Sequence, residues 1–275
     1  MIGTASRGFT VAVGSGKGGV GKTTVSANLA LALARQGLRV TLLDGDMGLA
    51  NVDVMLGLVP EMTIEHFFTD GVPLEELAVE GPLGIRVIPA GSGLPEMSRL
   101  APADLAALDR GLEPLRRSSD VVLLDTPAGI GDVAARQWLM ADRVLLVTWP
   151  EPTALVDAYA ALKVLRRGPQ QPAAALVVNG ASGREEAELV HRRLDVAARQ
   201  FLGEGLPLDG FVVRDEAVTE AARRQRAVLL ADPLSQASRS IERLALNVAA
   251  LAAGRTRGSI GQTWARNCTP AELLH

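Results

Sequence analysis

Short, continuous apolar runs alternate with longer stretches of helical periodicity along nearly the whole chain. The runs fall at 9–13, 39–43, 85–88, 121–124, 143–147, 174–178 and 208–213. Most are apolar throughout rather than apolar at every second position, as expected for strands covered on both faces of a parallel sheet. Helical candidates fill the gaps at 25–35, 103–117, 134–140, 154–167, 185–201, 216–226 and 235–253. Strand and helix in regular alternation predict a single α/β domain, a doubly wound and mostly parallel sheet with helices on both faces. Ligands are then expected at the carboxyl ends of the strands. Residues 1–254 read as this domain and 255–275 as a C-terminal tail, where apolar periodicity fades after Gly254.

Composition narrows the classes. The 275 residues carry a formal charge of −3 and a sequence pI near 5.7, which gives no global basic footprint, so no specific nucleic-acid binding is expected. One cysteine, Cys268, excludes a disulfide framework and a four-cysteine metal or iron–sulfur site. The three histidines, His66, His191 and His275, are scattered and predict no metal cluster. No apolar stretch approaches the roughly 18 residues of a membrane span. The first apolar run is short and leads straight into a glycine-rich loop, so a signal peptide is not expected and a cytoplasmic location is.

That loop carries the chemistry. Lysine occurs only three times against twenty-five arginines, and two of the three, Lys17 and Lys22, lie in the segment GKGGVGKTT at 16–24. Gly16, Gly21, Lys22 and Thr23 match the phosphate-loop pattern, with Gly18, Gly19, Val20 and Thr24 completing the cradle. Backbone N–H groups hold the phosphates, Lys22 reaches the β/γ oxygens and the Thr23 hydroxyl binds Mg²⁺. A strand before and a helix after it aim the positive helix end at the phosphates. The pattern predicts ATP/ADP and Mg²⁺ as ligands. Lys17 has two readings from spacing alone: an ordinary loop lysine, or a cation reaching the phosphates of a facing subunit as a trans-acting arginine does.

Carboxylates sit where such chemistry uses them. The run 121–124 ends in Asp125, the layout of a Walker B strand serving the Mg²⁺ shell, and the small residues after it, to Gly129, let backbone N–H groups approach a γ-phosphate. Asp44 and Asp46 are two apart at a strand end and lie on one side of the extended chain. They are candidates to hold Mg²⁺ through water and to orient the attacking water; a loop-capping Asx turn is the alternative.

Residues 17–24 resemble the deviant phosphate loop of the MinD/ParA ATPases, which form nucleotide-sandwich dimers. The segment 44–58 (DGDMGLANVDVMLGL), together with 125–132 (DTPAGIGD), 151–159 and 214–228, resembles the FlhG/FleN branch of that family, which regulates flagellar number and placement. The resemblance covers most of 9–251. It implies that Lys17 is the intersubunit lysine, Asp46 positions the hydrolytic water, Asp125 supports Mg²⁺ and Asn51 reaches the dimer partner. It implies too that Asn179 reads adenine, with Arg214 and Asp215 beside the nucleotide. Gly180 stands where relatives often carry arginine.

The implied partners are a second copy on ATP, and a flagellar placement GTPase of the FlhF kind or a flagellar transcriptional regulator. The eight residues at 1–8 lack the Asp-Gln-Ala motif that stimulates such a GTPase. The tail places Ile260 and Trp264 on one helical face, but Gly258, Gly261 and Pro270 oppose a long helix. It reads either as a weak, reversible contact with the inner membrane or as a disordered or partner-docked segment. Septum-placing and DNA-partitioning relatives are the alternative readings of the same chemistry.

Overall fold

A computed structural model describes residues 7–48, 51–91, 100–167 and 171–255. Its sheet has eight strands in the order β3-β4-β2-β5-β1-β6-β7-β8. They are β1 (Phe9–Gly14), β2 (Val40–Asp44), β3 (Val79–Glu80), β4 (Arg86–Ile88), β5 (Val121–Asp125), β6 (Arg143–Thr148), β7 (Ala173–Ala181) and β8 (Leu208–Val213). All pairings are parallel except that of β3 with β4 at one edge. The seven runs expected to be strands are all present. The two-residue β3 was not foreseen, because a pair of residues offers no period to detect.

Along each strand the side chains alternate between two cores. Ala12, Leu124, Leu146 and Leu176 face one core, with α4 (Pro102–Ser118), α5 (Asp132–Leu139), α6 (Pro152–Leu165) and α7 (Arg184–Leu202). Val11, Val13, Leu123 and Leu145 face the other, with α1 (Lys22–Arg35) and α10 (Gln236–Arg255). Helix α1 contains ALALA and is buried around its circumference, which suits a helix sandwiched between the sheet and α10. The short helices α2 (Val52–Leu56), α3 (Ile64–Thr69) and α9 (Val228–Ala231) went unread in the sequence, being too short for helical periodicity to register. The foreseen helix at 216–226 ends earlier, as α8 (Glu216–Arg223), with Gln225 just beyond it at a φ of 50°.

Strand order fixes where a ligand goes. The chain runs from β1 outward to one side through β2 and β4, returns to β5 beside β1, then crosses to β6, β7 and β8 on the other side. The carboxyl ends of β1 and its two neighbours therefore form the switch point at which crevices open in such sheets. Residues 256–275, including the whole of the candidate membrane stripe, lie outside the described residues. Among the described residues, no helix is long and apolar enough to cross a membrane.

Candidate functional site

The loop 15–21 joins β1 to α1 at that switch point. Gly21 caps α1 with φ 85° and ψ 30°, a left-handed conformation that glycine adopts without penalty. The first N–H groups of the helix have no partner within it, which makes this end a receptor for anions. Lys22 opens the helix and is 8% exposed. Burial pulls its pKa down, while Asp125 and Asp46 nearby push it back up. A compact ammonium held between carboxylates at a helix start is poised for a polyphosphate.

Asp125 ends β5 in register with Val13 of β1 and Asp44 of β2, so three parallel strands deliver it to the loop. It is 1% exposed and accepts hydrogen bonds from the Thr23 and Ser26 hydroxyls, the latter at 2.8 Å. Burial outweighs these donors and Lys22, raising its pKa to about 6. The donor set of Thr23 hydroxyl and Asp125 carboxylate fits Mg²⁺, a hard cation that usually takes one or two carboxylates and completes its shell with phosphate and water. Among the described residues no group of three or more His, Cys, Asp or Glu side chains could hold a metal ion.

Asp44 is where the geometry favours the loop-capping alternative. Its Oδ1 accepts the Asp46 N–H at 3.0 Å, and its Oδ2 accepts the N–H groups of Asn51 and Val52 at 3.1 and 3.2 Å. Burial, with Asp125 adding to it, holds its pKa well above the usual carboxylate range. Asp44 thus anchors the segment that carries the half-buried Asp46 and exposed Asn51. Asp46 lies near both Lys22 and Asp125, where it acts on their charges.

The second segment, after β5, is tied to the same loop. Gly129 N–H donates to the Ser15 carbonyl at 3.0 Å, and Thr126 Oγ1 donates to the Val13 carbonyl at 2.9 Å. Trp138, fully buried, donates Nε1–H to Thr126 Oγ1. Gln137 of α5 donates Nε2–H to the Gly45 carbonyl at 3.0 Å, so the helix after one segment grips the other. Gln137 Oε1 is buried without a hydrogen-bond partner. Ser26, Gln137 and Trp138 were not anticipated from the sequence. Only Ser26 left a signal there, one helical turn after Lys22.

Lys17 extends toward the start of α6. Its Nζ donates to Thr153 Oγ1 at 3.3 Å and lies 3.7 Å from Glu151 Oε2, with a third of the side chain exposed. Gly16 packs against the Asp157 carbonyl of α6, where a Cβ would approach to 1.9 Å. Asn179, at the end of β7, donates Nδ2–H to the Val20 carbonyl at 2.8 Å, which joins the expected adenine reader to the phosphate loop. Arg214 follows β8 and lies over the Trp149 ring. Asp215 caps α8, accepting Ala217 N–H, and also accepts Ala237 N–H of α10. Two concavities of about 340 and 270 Å³ lie at the amino ends of β7 and β8, lined by residues such as His191, Pro207 and Arg143; they are remote from these groups.

A strand, a glycine-rich loop and a helix that opens on Lys22-Thr23, with a buried strand-end aspartate on the neighbouring strand, define a P-loop nucleoside triphosphatase. The ParA family profile, described as NUBPL iron-transfer P-loop NTPase, matches residues 8–249, and the chain belongs to the ParA/MinD family. It is 42% identical over 238 residues to the antiactivator FleN of Pseudomonas aeruginosa, covering 86% of this chain and 85% of FleN. It is 32% identical to the flagellum site-determining protein YlxH of Helicobacter pylori, over 86% of this chain and 80% of that protein. Among solved structures it resembles the septum site-determining protein MinD of Pyrococcus horikoshii complexed with Mg-ADP, at TM-score 0.77 and 25% identity, covering 90% and 98% of the two chains.

Proposed function

We propose that the protein is an ATP-dependent switch that dimerises on ATP, hydrolyses it slowly with Mg²⁺, and regulates the number or placement of polar flagella. The observation that carries the nucleotide part is the convergence of Lys22, Thr23 and Asp125 at one helix start, with Asp46 beside them. Likeness to FleN and YlxH over more than four-fifths of the chain supports the flagellar part.

When bound, Mg²⁺ would supply charge neutralisation at the β- and γ-phosphates, held by Thr23 and Asp125. Lys22 binds the phosphate oxygens and Asp46 orients the attacking water. The Gly129 N–H exchanges its bond to the Ser15 carbonyl for the γ-phosphate, so the segment after β5 follows nucleotide state. Lys17 and the exposed Asn51 act across a dimer interface. In the structure Lys17 is held by Thr153 and Glu151, contacts it must leave to reach a facing nucleotide. ADP, lacking the γ-phosphate, favours the monomer. A partner of the flagellar apparatus, whether a placement GTPase or a transcriptional regulator, would dock on the composite surface formed by the dimer. Membrane contact would be weak and reversible, and the protein would work in the cytoplasm or at a pole.

The test has two arms. Light scattering of an Asp46→Ala variant should give a dimer with ATP and a monomer with ADP; one mass in both nucleotides refutes the switch. Deleting the gene in a flagellated host should alter flagellar number or position. An unaltered pattern would favour the second reading, a positioning ATPase for a septum or another polar cargo, which the structural likeness to MinD supports.

A further inference from the structure

The base end of the site holds an arrangement that the phosphate chemistry does not use. Trp149 follows β6 directly, and its ring lies against Gly180, the residue after Asn179. A Cβ at position 180 would fall 2.2 to 2.5 Å from the ring atoms Cη2, Cζ3 and Cζ2, so the indole fills the space that any side chain there would need. Gly180 also has a φ of 72°, in the left-handed region. The Arg214 guanidinium reaches over the same ring, its Cζ 5.5 Å from the centroid. That lies within the roughly 6 Å of a cation–π contact, so the guanidinium must lift from the indole for a base to enter between them. The Arg214 backbone is fixed by its N–H to the Ala181 carbonyl at 2.7 Å, which leaves the exposed side chain to move.

The position of this pair relative to the loop gives it a role. Asn179 Nδ2 touches the Val20 carbonyl, and Gly21 is so near that a Cβ there would come 2.3 Å from the same nitrogen. The indole packs on the residue that follows Asn179, at the carboxyl ends of β6 and β7. A nucleotide whose phosphates sit at the start of α1 must carry its base past this wall. Indole and guanidinium planes are both surfaces on which bases stack.

We infer that Trp149 is the stacking platform for the purine of the bound nucleotide, that Arg214 closes over the base, and that Gly180 is required to leave the indole in place. The inference rests on the nucleotide reading above and adds the recognition of the base to it. Because every base presents a π-face, the platform supplies affinity without choosing between adenine and guanine.

Three variants of the full chain test it, Trp149→Ala, Trp149→Phe and Gly180→Ala, titrated calorimetrically with ADP, GDP and inorganic tripolyphosphate in the presence of Mg²⁺. Trp149→Ala should lose about ten- to a hundred-fold in affinity for ADP and GDP alike, the range that base–aromatic stacking is worth, and keep its affinity for tripolyphosphate. Trp149→Phe should retain most of the ADP affinity, and Gly180→Ala, which displaces the indole, should resemble Trp149→Ala. Unchanged ADP affinity in Trp149→Ala overturns the inference, as does a parallel loss for ADP and tripolyphosphate, which would mark Trp149 as a packing residue. Should Trp149→Ala not fold, indole fluorescence decides. ADP but not tripolyphosphate should quench the parent, and a quench preserved in Trp149→Phe overturns the assignment. A parent that binds neither ADP nor tripolyphosphate refutes the nucleotide reading itself, a result distinct from failure of the platform.

Discussion

Replacing Asp125 by asparagine should stabilise the metal- and nucleotide-free protein while abolishing its ATPase activity. The carboxyl is 1% exposed, and burial is the largest influence on it, lifting its pKa from 3.8 to about 6 against the Thr23 and Ser26 hydroxyls and the Lys22 ammonium. A carboxyl whose folded pKa is raised favours the fold when protonated. That stability is complete below the unfolded value and is lost as pH rises through about 6. The interval from 3.8 to about 6 corresponds to about 3 kcal/mol by pH 8. Asparagine has the shape of the neutral acid and cannot ionise. It also relieves Asp44, on which Asp125 acts in the same upward direction.

In EDTA at pH 8 the variant should therefore melt above the parent by up to about 3 kcal/mol, on the order of 6–10 °C for a chain of this size. The gap should fall to about half near pH 5 and to about a fifth near pH 4. Differential scanning calorimetry across that range reads the effect, and phosphate release reads the loss of turnover. A variant that melts below the parent by the same margin at pH 4 and pH 8 would refute the reasoning, because hydrogen bonding from Ser26 and Thr23, rather than buried charge, would then dominate.

Other variants separate further roles. Lys22→Ala should lose nucleotide binding in calorimetry, and Asp46→Ala should bind ATP yet not turn it over; near-parental phosphate release in Asp46→Ala contradicts the water-positioning role. Lys17→Ala should bind nucleotide but lose dimerisation or turnover, with up to roughly 10³–10⁵ in rate at stake for trans-acting cations of this kind. Arg143→Ala should cost about 3–5 kcal/mol in urea unfolding, because Asp209, whose side chain is 3% exposed and paired with Nε and Nη2 of the guanidinium, would be left buried without its partner. A loss under 1 kcal/mol would show that water reaches Asp209. Removing residues 255–275 should spare ATPase activity and change liposome sedimentation only modestly.

Much of this protein was legible in its sequence, wherever neighbours along the chain do the work. Continuous apolar runs marked the strands because a strand covered on both faces has no polar side to show. The phosphate loop and its partner Asp125 were legible for a similar reason, since each depends on a strand end followed by a particular turn. Contacts between segments far apart in the chain were not. Asp44 stands between the two cases: the sequence left a metal-shell carboxylate and a loop-capping turn both open, and the hydrogen bonds it accepts from Asp46, Asn51 and Val52, all within eight residues, favour the turn. Gln137 reads as an ordinary helical polar residue, yet 92 positions separate it from the Gly45 carbonyl it grips. Trp149 and Gly180 carry no local pattern linking them, and the indole finds its space only because β6 and β7 pair in parallel and end side by side. Periodicity and turn chemistry act over a few residues, so they specify elements; which elements become neighbours is settled by burial of the two sheet faces, and with it the pairing of side chains that no local signal connects.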